Sequence, residues 1–302
     1  MLGTEHINRR AAGLDEQAPD DVLSILLDAQ IEALRSLESS RPAIASAAAA
    51  MAQTVRTGGK IGYAAAGSSA LMAMADGLEL PGTFGIPNDR IGIFMAGGRE
   101  SLSDMLGGTE DDRAQGARDV RAAGYGPDDC LIAVSASGHT GYTVAALAEA
   151  VAAGARTVAI ANNPDSPLLE AADIAILLAT PPEIVAGSTR LGAATAQKAA
   201  LNMMSTLMAV QLGHVHDGHM VNLRADNEKL RARACRMVSD IAGCDEIQSQ
   251  KLLGLTDGSV KHAILLAKGA STIAVADRLL EQASGNLRRA LAMAAATTNE
   301  NS

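Results

Sequence analysis

The chain of 302 residues has very few aromatic side chains: tryptophan is absent, and aromatic residues make up 2% of the sequence. Hydrophobic residues still account for 48%, so small aliphatic side chains can build a sizeable core. Side chains of this size pack closely, which suits helices that lie against a parallel sheet. The length allows one large domain, or one domain with a small appendage.

The chain is also short of positive charge and of cysteine. Lys and Arg number 25 against 34 Asp and Glu, which gives a formal net charge of −9. No basic stripe runs along the sequence, so we expect no nucleic acid partner. The three cysteines, Cys130, Cys235 and Cys244, form no CxxC pair, and their odd number does not indicate a disulfide framework.

Long hydrophobic runs are missing as well. The sequence has no run of about 18 uncharged apolar residues, so we expect no membrane span. The N-terminal stretch MLGTEHINRR has no apolar segment typical of a secretory signal. These observations predict a cytoplasmic protein.

Five short apolar segments predict a buried sheet. They begin near Lys60, Arg90, Asp129, Arg156 and Asp173. Near-continuous apolar runs of this kind are typical of strands that are buried on both faces. Helical patterns separate most of them at a spacing of about 30 residues, which indicates βαβ units. We therefore predict an α/β protein, a three-layer sandwich with five parallel strands.

Helical patterns flank this predicted sheet. A long helical stretch at 20–56, with a break at Pro42, precedes it, and two helices at 188–213 and 221–241 follow it. Short helical runs fill the part that comes after. We expect a main domain at 1–240 and a small helical C-terminal subdomain at 241–302.

Hydroxyl side chains follow two of the predicted strands. Ser135, Ser137 and Thr140 lie in the stretch IAVSASGHTGY, and Ser68 and Ser69 follow the first strand. Ligands of open parallel sheets bind beyond the carboxyl ends of the strands, and free N–H groups at a helix start attract anions. Either loop alone is also typical of an ordinary helix cap. The two loops together favour a phosphate-sized ligand.

Six motifs spread over most of the chain carry a resemblance to a known family. They are TEHINRRAAGLDE, EDDRAQGARD, SASGHTGY, NNPDSP, PPEIVAGSTRLGAATAQKAALNMMST and NEKLRARACRMV. The stretch at 181–206 is the most specific of them. The chain resembles the N-acetylmuramic acid 6-phosphate etherases of the sugar isomerase (SIS) superfamily. The resemblance implies a SIS-type main domain, a small helical C-terminal end, and a homodimer with the site near its interface.

The resemblance also implies a reaction. The family removes the lactyl ether from position 3 of an amino-sugar phosphate, which gives N-acetylglucosamine 6-phosphate and D-lactate without a metal or redox cofactor. A base takes the C2 proton, an acid helps the ether oxygen leave, and water adds at C3. By match to the family motifs, Glu79 would protonate the leaving lactate and later activate water. Glu110 would handle the C2 proton.

The local sequence around these two glutamates gives weaker evidence for a catalytic role than the family match does. Glu79 lies in the otherwise uncharged stretch 77–88, where burial would raise its pKa. Glu110 follows a Gly-Gly pair in the expected first turn of a helix. A carboxylate at that place also serves simply to stabilise a helix start.

Four further residues match the family's long motif and are predicted to bind the substrate. Two of them, Arg190 and Lys198, would offset the charge of a phosphate. The alternative is that they form structural ion pairs near the end of the sheet. The four residues are Glu183, Ser188, Arg190 and Lys198.

The chain departs from the family pattern around the expected site. The first serine loop reads GSSALMA where the family has a GTSGR-like loop, and further differences flank Glu79 and lie in the second loop. These departures leave the exact ether and sugar open. An isomerase that moves a proton between C1 and C2 is one alternative. A non-catalytic sugar-phosphate sensor is another, since related architecture serves in a regulatory protein for glucokinase. Retention of both glutamates favours the lyase. The departures that matter most are Ala70, Leu71, Leu78, Leu80 and His139.

The stretch HVHDGHM brings His214, His216 and His219 together with Asp217. Such spacing is found in metal sites. It lacks a further Cys or His partner, however, and the family supplies no metal there. We therefore predict a polar helix end and no metal.

Overall fold

A parallel five-stranded sheet forms the centre of the first part of the chain. The computed structural model describes residues 2–105, 107–223, 225 and 227–300, without the side chains of 297–300. The strand order is β2-β1-β3-β4-β5, and every neighbouring pair is parallel. The prediction of five parallel strands is confirmed. The strands are β1 (Ile61–Ala65), β2 (Ile91–Met95), β3 (Cys130–Ser135), β4 (Arg156–Ala161) and β5 (Ile174–Leu177).

Helices surround and follow the sheet, and short 3-10 turns connect several of them. A small antiparallel hairpin, β6 (Val215–His216) and β7 (His219–Met220), lies between the seventh and eighth helices. None of the helices in the described ranges is long and apolar enough to cross a membrane. The helices are α1 (Pro19–Arg35), α2 (Leu37–Thr57), α3 (Gly67–Phe84), α4 (Arg113–Ala122), α5 (Gly141–Ala152), α6 (Pro167–Ala171), α7 (Gly192–Gln211), α8 (Glu228–Ala242), α9 (Glu246–Leu255), α10 (Val260–Ala267), α11 (Ile273–Gln282) and α12 (Leu287–Glu300).

The first helical stretch breaks at Ser36 and not at Pro42, so the predicted position of the break was wrong. Pro42 lies inside α2. A proline has no N–H for the carbonyl four residues before it, which here belongs to Glu38. The Arg41 Nε donates to that carbonyl at 3.2 Å and replaces the missing partner. The helix can therefore continue through the proline.

Helices cover both faces of the sheet. Successive residues of a strand point to opposite faces. Leu131 and Ala64 pack with the core residues of α4 and α5 on one face. On the other face, the Tyr63 hydroxyl donates to Asp76 of α3 at 2.9 Å, and Ser205 of α7 donates to the same carboxylate at 2.8 Å. The predicted three-layer sandwich is confirmed.

The chain divides into two compact units. One comprises the chain up to Gly77 together with Asp89–Leu207, and it contains the sheet. The other comprises Leu78–Asn88 together with the chain from Met208 onwards. In this second unit, α8 packs against α9 and α10 around residues such as Val238 and Ile264. The domain boundary expected after residue 240 stays a prediction.

Candidate functional site

The two serine loops lie at the carboxyl ends of neighbouring strands. β1 and β3 are adjacent and parallel, so the segments that follow them leave the sheet at the same edge. Ser68 and Ser69 lie in the first turn of α3, directly after β1. Ser135 ends β3, and Ser137 and Thr140 precede α5. The structure thus brings the five predicted hydroxyl residues to one edge.

The hydroxyls of the second loop contact one another. The Ser135 Oγ lies 2.8 Å from the Thr140 Oγ1 and 3.3 Å from the Ser137 Oγ, and it accepts the Gly138 N–H at 3.0 Å. Thr140 is the residue before α5, but its side chain makes no capping hydrogen bond. The first N–H groups of an α-helix have no acceptor within the helix. Helix capping therefore does not account for this loop.

The first loop does not cap its helix either. Ser68 is half-buried and Ser69 is 8% exposed, and both lie inside the first turn of α3. Among the described residues, neither hydroxyl has a hydrogen-bond partner. A capping side chain would accept an N–H from the same turn. The alternative of two ordinary caps is therefore not what the structure shows.

Glu110 lies against the start of α3. It belongs to the 3-10 turn Gly107–Asp111 and not to the first turn of α4, whose cap is the side chain of Asp112. The Glu110 Oε1 is 2.7 Å from the point that a Cβ on Gly67 would occupy. Burial raises the pKa of Glu110, and the neighbouring Asp111 carboxylate raises it further. This carboxyl group therefore binds a proton more readily than a solvated one.

Glu79 is exposed, so the burial considered for it is not found. The core side of α3 is occupied at this point by Leu80, which is 1% exposed. Leu78 is 63% exposed. Because consecutive residues of a helix point in different directions, a buried Leu80 leaves both of its predecessors at the surface.

Comparison with known proteins identifies the family. Two family models, both described as SIS domain, match residues 27–162 and 114–214. An N-acetylmuramic acid 6-phosphate etherase from Deinococcus radiodurans is 42% identical over 288 residues, which cover 95% of this chain and 94% of that one. The chain belongs to the N-acetylmuramic acid 6-phosphate etherase family. Etherases from Symbiobacterium thermophilum, 42% identical over 87% of this chain and 88% of theirs, and Streptomyces avermitilis, 39% identical over 97% and 94%, are further relatives.

In this member of the etherase family, Glu183 has a structural task that the sequence did not indicate. It is 4% exposed, and its carboxylate accepts the N–H groups of Gly192 and Ala193 at 2.9 and 2.8 Å. A carboxylate at this place stabilises the N-terminus of α7. Its contribution to substrate binding stays a prediction.

The other three predicted binding residues of the long motif lie at or near the surface. Ser188 is half-buried in the loop before α7, and Arg190 and Lys198 are exposed. Neither cation forms an ion pair with a carboxylate in the described part of the chain. The alternative of structural ion pairs is therefore not found, and the roles of these residues in binding stay predictions.

Sequence reasoning missed a buried carboxylate between α3, α7 and β1. Asp76 is 4% exposed and accepts hydrogen bonds from Tyr63 at 2.9 Å, Asn202 at 2.7 Å and Ser205 at 2.8 Å. All three donors are neutral side chains. The network ties α3 and α7 to β1. A single Asp within an apolar helix was the only sequence signal.

The histidine cluster belongs to the second unit. Burial lowers the pKa of His214 to about 4, and the Lys261 charge contributes to the shift.

His216 and His219 lie in the small hairpin, and Asp217 pairs with Arg288. Across the described ranges, no group of three or more His, Cys, Asp and Glu side chains is arranged to hold a metal ion.

Proposed function

We propose that the chain is a cofactor-free carbon–oxygen lyase that cleaves the D-lactyl ether of N-acetylmuramic acid 6-phosphate or a close relative of it. The products are N-acetylglucosamine 6-phosphate and D-lactate. The observation that carries the proposal is the meeting of two hydroxyl loops and the Glu110 carboxyl group at one edge of the sheet. The names of the relatives, which match the chain over nearly its full length, give the reaction.

The serine loops bind the phosphate. Five hydroxyls surround the starts of α3 and α5, and the first N–H groups of both helices lack intrahelical acceptors. A helix start with free N–H groups favours an anion. The chain as a whole has a net charge of −9, so binding of an anion depends on local donors. Hydroxyl groups can supply these donors to the phosphate oxygens. Arg190 and Lys198 supply the remaining positive charge, and Glu183 and Ser188 also bind the substrate.

Glu110 acts on the C2 proton. Ring opening exposes an aldehyde at C1, which acidifies that proton. The Glu110 carboxylate accepts it, the C3–O bond breaks, and its electron pair leaves with the lactate oxygen. The raised pKa of Glu110 favours this step, since a catalytic base works best when its pKa lies nearer to the working pH.

Glu79 supplies the second proton. It protonates the departing lactate oxygen and then accepts a proton from the water that attacks C3, while Glu110 returns its proton to C2. This role rests on the motif that Glu79 shares with the family. The exposure of Glu79 is compatible with it, because the water-addition step needs access to solvent.

We also propose that the protein is a cytoplasmic homodimer. Helix α1 exposes an apolar stripe at spacings of four, four and three residues, with exposed fractions between 38% and 63%. Such a stripe occupies one face of a helix, and the same face on a second copy would cover it. The stripe consists of Leu23, Leu27, Ile31 and Leu34.

The test is to incubate the protein with N-acetylmuramic acid 6-phosphate and to measure D-lactate. Release of lactate supports the lyase. Conversion of an amino-sugar phosphate to a ketose without lactate would instead identify an isomerase. Binding without either reaction would identify a sensor.

A further inference from the structure

The first residues of the chain are fixed to the loops at the carboxyl edge of the sheet. Thr4 is 1% exposed and pairs with Asn163, which follows β4. The Thr4 N–H donates to the Asn163 Oδ1 at 3.4 Å, and the Asn163 Nδ2 donates to the Thr4 Oγ1 at 3.2 Å. The Gly187 N–H donates to the Thr4 carbonyl at 3.1 Å. Residues 3–8 are called the N-terminal strap below.

The other end of the N-terminal strap is anchored as well. Asn8 is 8% exposed, and its Nδ2 donates to the Pro182 carbonyl at 2.7 Å. Ordering a segment without regular structure costs conformational entropy, which its contacts have to offset. Two buried polar anchors, one at each end, hold this strap in one place.

A single side chain links the N-terminal strap to the second serine loop. The Nδ2 of Asn163, which holds Thr4, also donates to the carbonyl of Ala136 at 2.8 Å. Ala136 stands between Ser135 and Ser137. The strap therefore borders the loop that we propose to bind the phosphate.

Between the two anchors, Glu5 carries an unused carboxylate. The Glu5 Oε2 lies 2.9 Å from the point at which a Cβ on Gly187 would begin, and Gly187 has a φ of 74° that favours glycine. Ser188, a predicted substrate contact, comes next in the chain. In the described structure, no donor pairs with the Glu5 carboxylate. A carboxylate only accepts hydrogen bonds, so its partner has to be an N–H or O–H donor.

We infer that Glu5 is a specificity residue that accepts a hydrogen bond from a hydroxyl or amide N–H on the sugar of the bound sugar phosphate. The inference rests on the proposed function. A negative charge repels a second anion, so Glu5 contacts the uncharged part of the ligand and not its phosphate. The anchors at Thr4 and Asn8 hold the strap so that the carboxylate keeps this place.

The experiment compares two probes by calorimetry on the full chain: N-acetylglucosamine 6-phosphate and inorganic phosphate. Loss of one hydrogen bond to a charged group weakens binding by about 10- to 100-fold. We expect Glu5→Ala to weaken binding of the sugar phosphate by this factor and to leave inorganic phosphate unchanged. Glu5→Gln keeps an acceptor oxygen and should fall between the wild type and Glu5→Ala. Glu16→Ala, at an exposed glutamate of the 3-10 turn Leu14–Glu16, should change neither affinity.

The outcomes separate this inference from the proposed function. Equal affinity of Glu5→Ala and wild type for the sugar phosphate overturns the inference while the function stands. If Glu5→Ala changes the affinity for both probes by the same factor, the cause is a long-range charge effect, and this result also overturns the inference. Failure of the wild type to bind the sugar phosphate overturns the proposed function and, with it, the role of Glu5. Because Glu5 is exposed, its variants should fold, and an unchanged melting curve checks this.

Discussion

The Glu110 carboxylate occupies the space that a side chain at Gly67 would need, with the Glu110 Oε1 2.7 Å from the place where that side chain would begin. Gly67 also has a φ of 54°, a conformation that favours glycine. The backbone conformation before α3 and the position of the proposed base, Glu110, thus both require a residue without a side chain at position 67.

Gly67→Ala should therefore reduce both the rate of lactate release and the stability of the protein. The new methyl group displaces the end of the Glu110 side chain, and a general base contributes about 10²- to 10⁴-fold to a rate. We expect kcat to fall by at least about tenfold, whereas the left-handed conformation costs about 1–2 kcal/mol of stability. Steady-state kinetics and thermal melting measure the two effects. Gly82→Ala, at a helical glycine with open space around it, should leave kcat unchanged.

Ser137→Ala should weaken binding of N-acetylglucosamine 6-phosphate by about 1–3 kcal/mol, the range for a hydrogen bond to a charged group. The Ser137 Oγ lies 3.3 Å from the Ser135 Oγ and accepts the His139 N–H at 3.1 Å, so it already belongs to a network of donors and acceptors. Calorimetry measures the change. Ser46→Ala, at an exposed serine of α2, is the matched control. An unchanged affinity for the Ser137 variant would assign this hydroxyl to the loop's own structure.

The sheet and the position of the serine loops could be predicted because both depend on short-range pattern. A strand buried on both faces, such as β3, is a continuous apolar run, and the carboxyl ends of parallel strands share one edge. Ser69 and Ser135 therefore came to the same edge once the sheet was predicted.

The exposure of Glu79 and the place of Glu183 could not be predicted in this way. The exposure of Glu79 depends on which side of α3 meets the core, and Leu78 and Leu80 are equally apolar in sequence. Glu183 contacts the start of α7, which lies nine residues later in the chain. A carboxylate this far from a helix start is not part of any local capping pattern, so the sequence does not predict the contact. Both are decided by packing between segments.

Replacement of Asp76 by alanine should destabilise the sheet unit. Tyr63, Asn202 and Ser205 all donate to this carboxylate. Asp76→Ala leaves the Tyr63 and Asn202 donors without this acceptor, whereas Ser205 can still donate to the Asn202 carbonyl at 3.3 Å. Each such group costs about 1–3 kcal/mol, and we expect a total loss of roughly 3 kcal/mol or more. Urea unfolding measures it, with Asp89→Ala at an exposed aspartate as control. A loss below about 1 kcal/mol would mean that water takes over the three hydrogen bonds.

The second unit should lose stability as the pH falls from about 6.5 towards about 4, because burial lowers the pKa of His214 to about 4. In that range the unfolded chain binds a proton that the folded chain does not, so protonation favours unfolding. The shift corresponds to at most about 3 kcal/mol. Urea unfolding measures the free energy of unfolding at pH 7 and pH 4.5. The difference between these two free energies should be smaller for His214→Gln than for wild type. The control His6→Gln, at an exposed histidine, should show the same difference in unfolding free energy as wild type. A His214 variant whose stability depends on pH as in wild type would contradict the prediction.

The two proposed catalytic glutamates can be separated by isotope exchange. In deuterated solvent, Glu110→Gln should neither release lactate nor exchange the C2 hydrogen, because both require removal of that proton. Glu79→Gln should still exchange deuterium into C2, since that step needs only Glu110 and the open-chain aldehyde, but it should not expel the lactate.

Mass spectrometry of the recovered sugar phosphate and a D-lactate assay give the two readings. Loss of a general acid or base lowers the rate by about 10²- to 10⁴-fold, so both effects lie well within reach of these assays. Normal lactate release by Glu79→Gln would remove this exposed residue from the mechanism and leave the departing oxygen to be protonated by another group or by water. Exchange at C2 by Glu110→Gln at the wild-type rate would show that the base is a different residue, even though Glu110 lies at the start of α3 with a raised pKa.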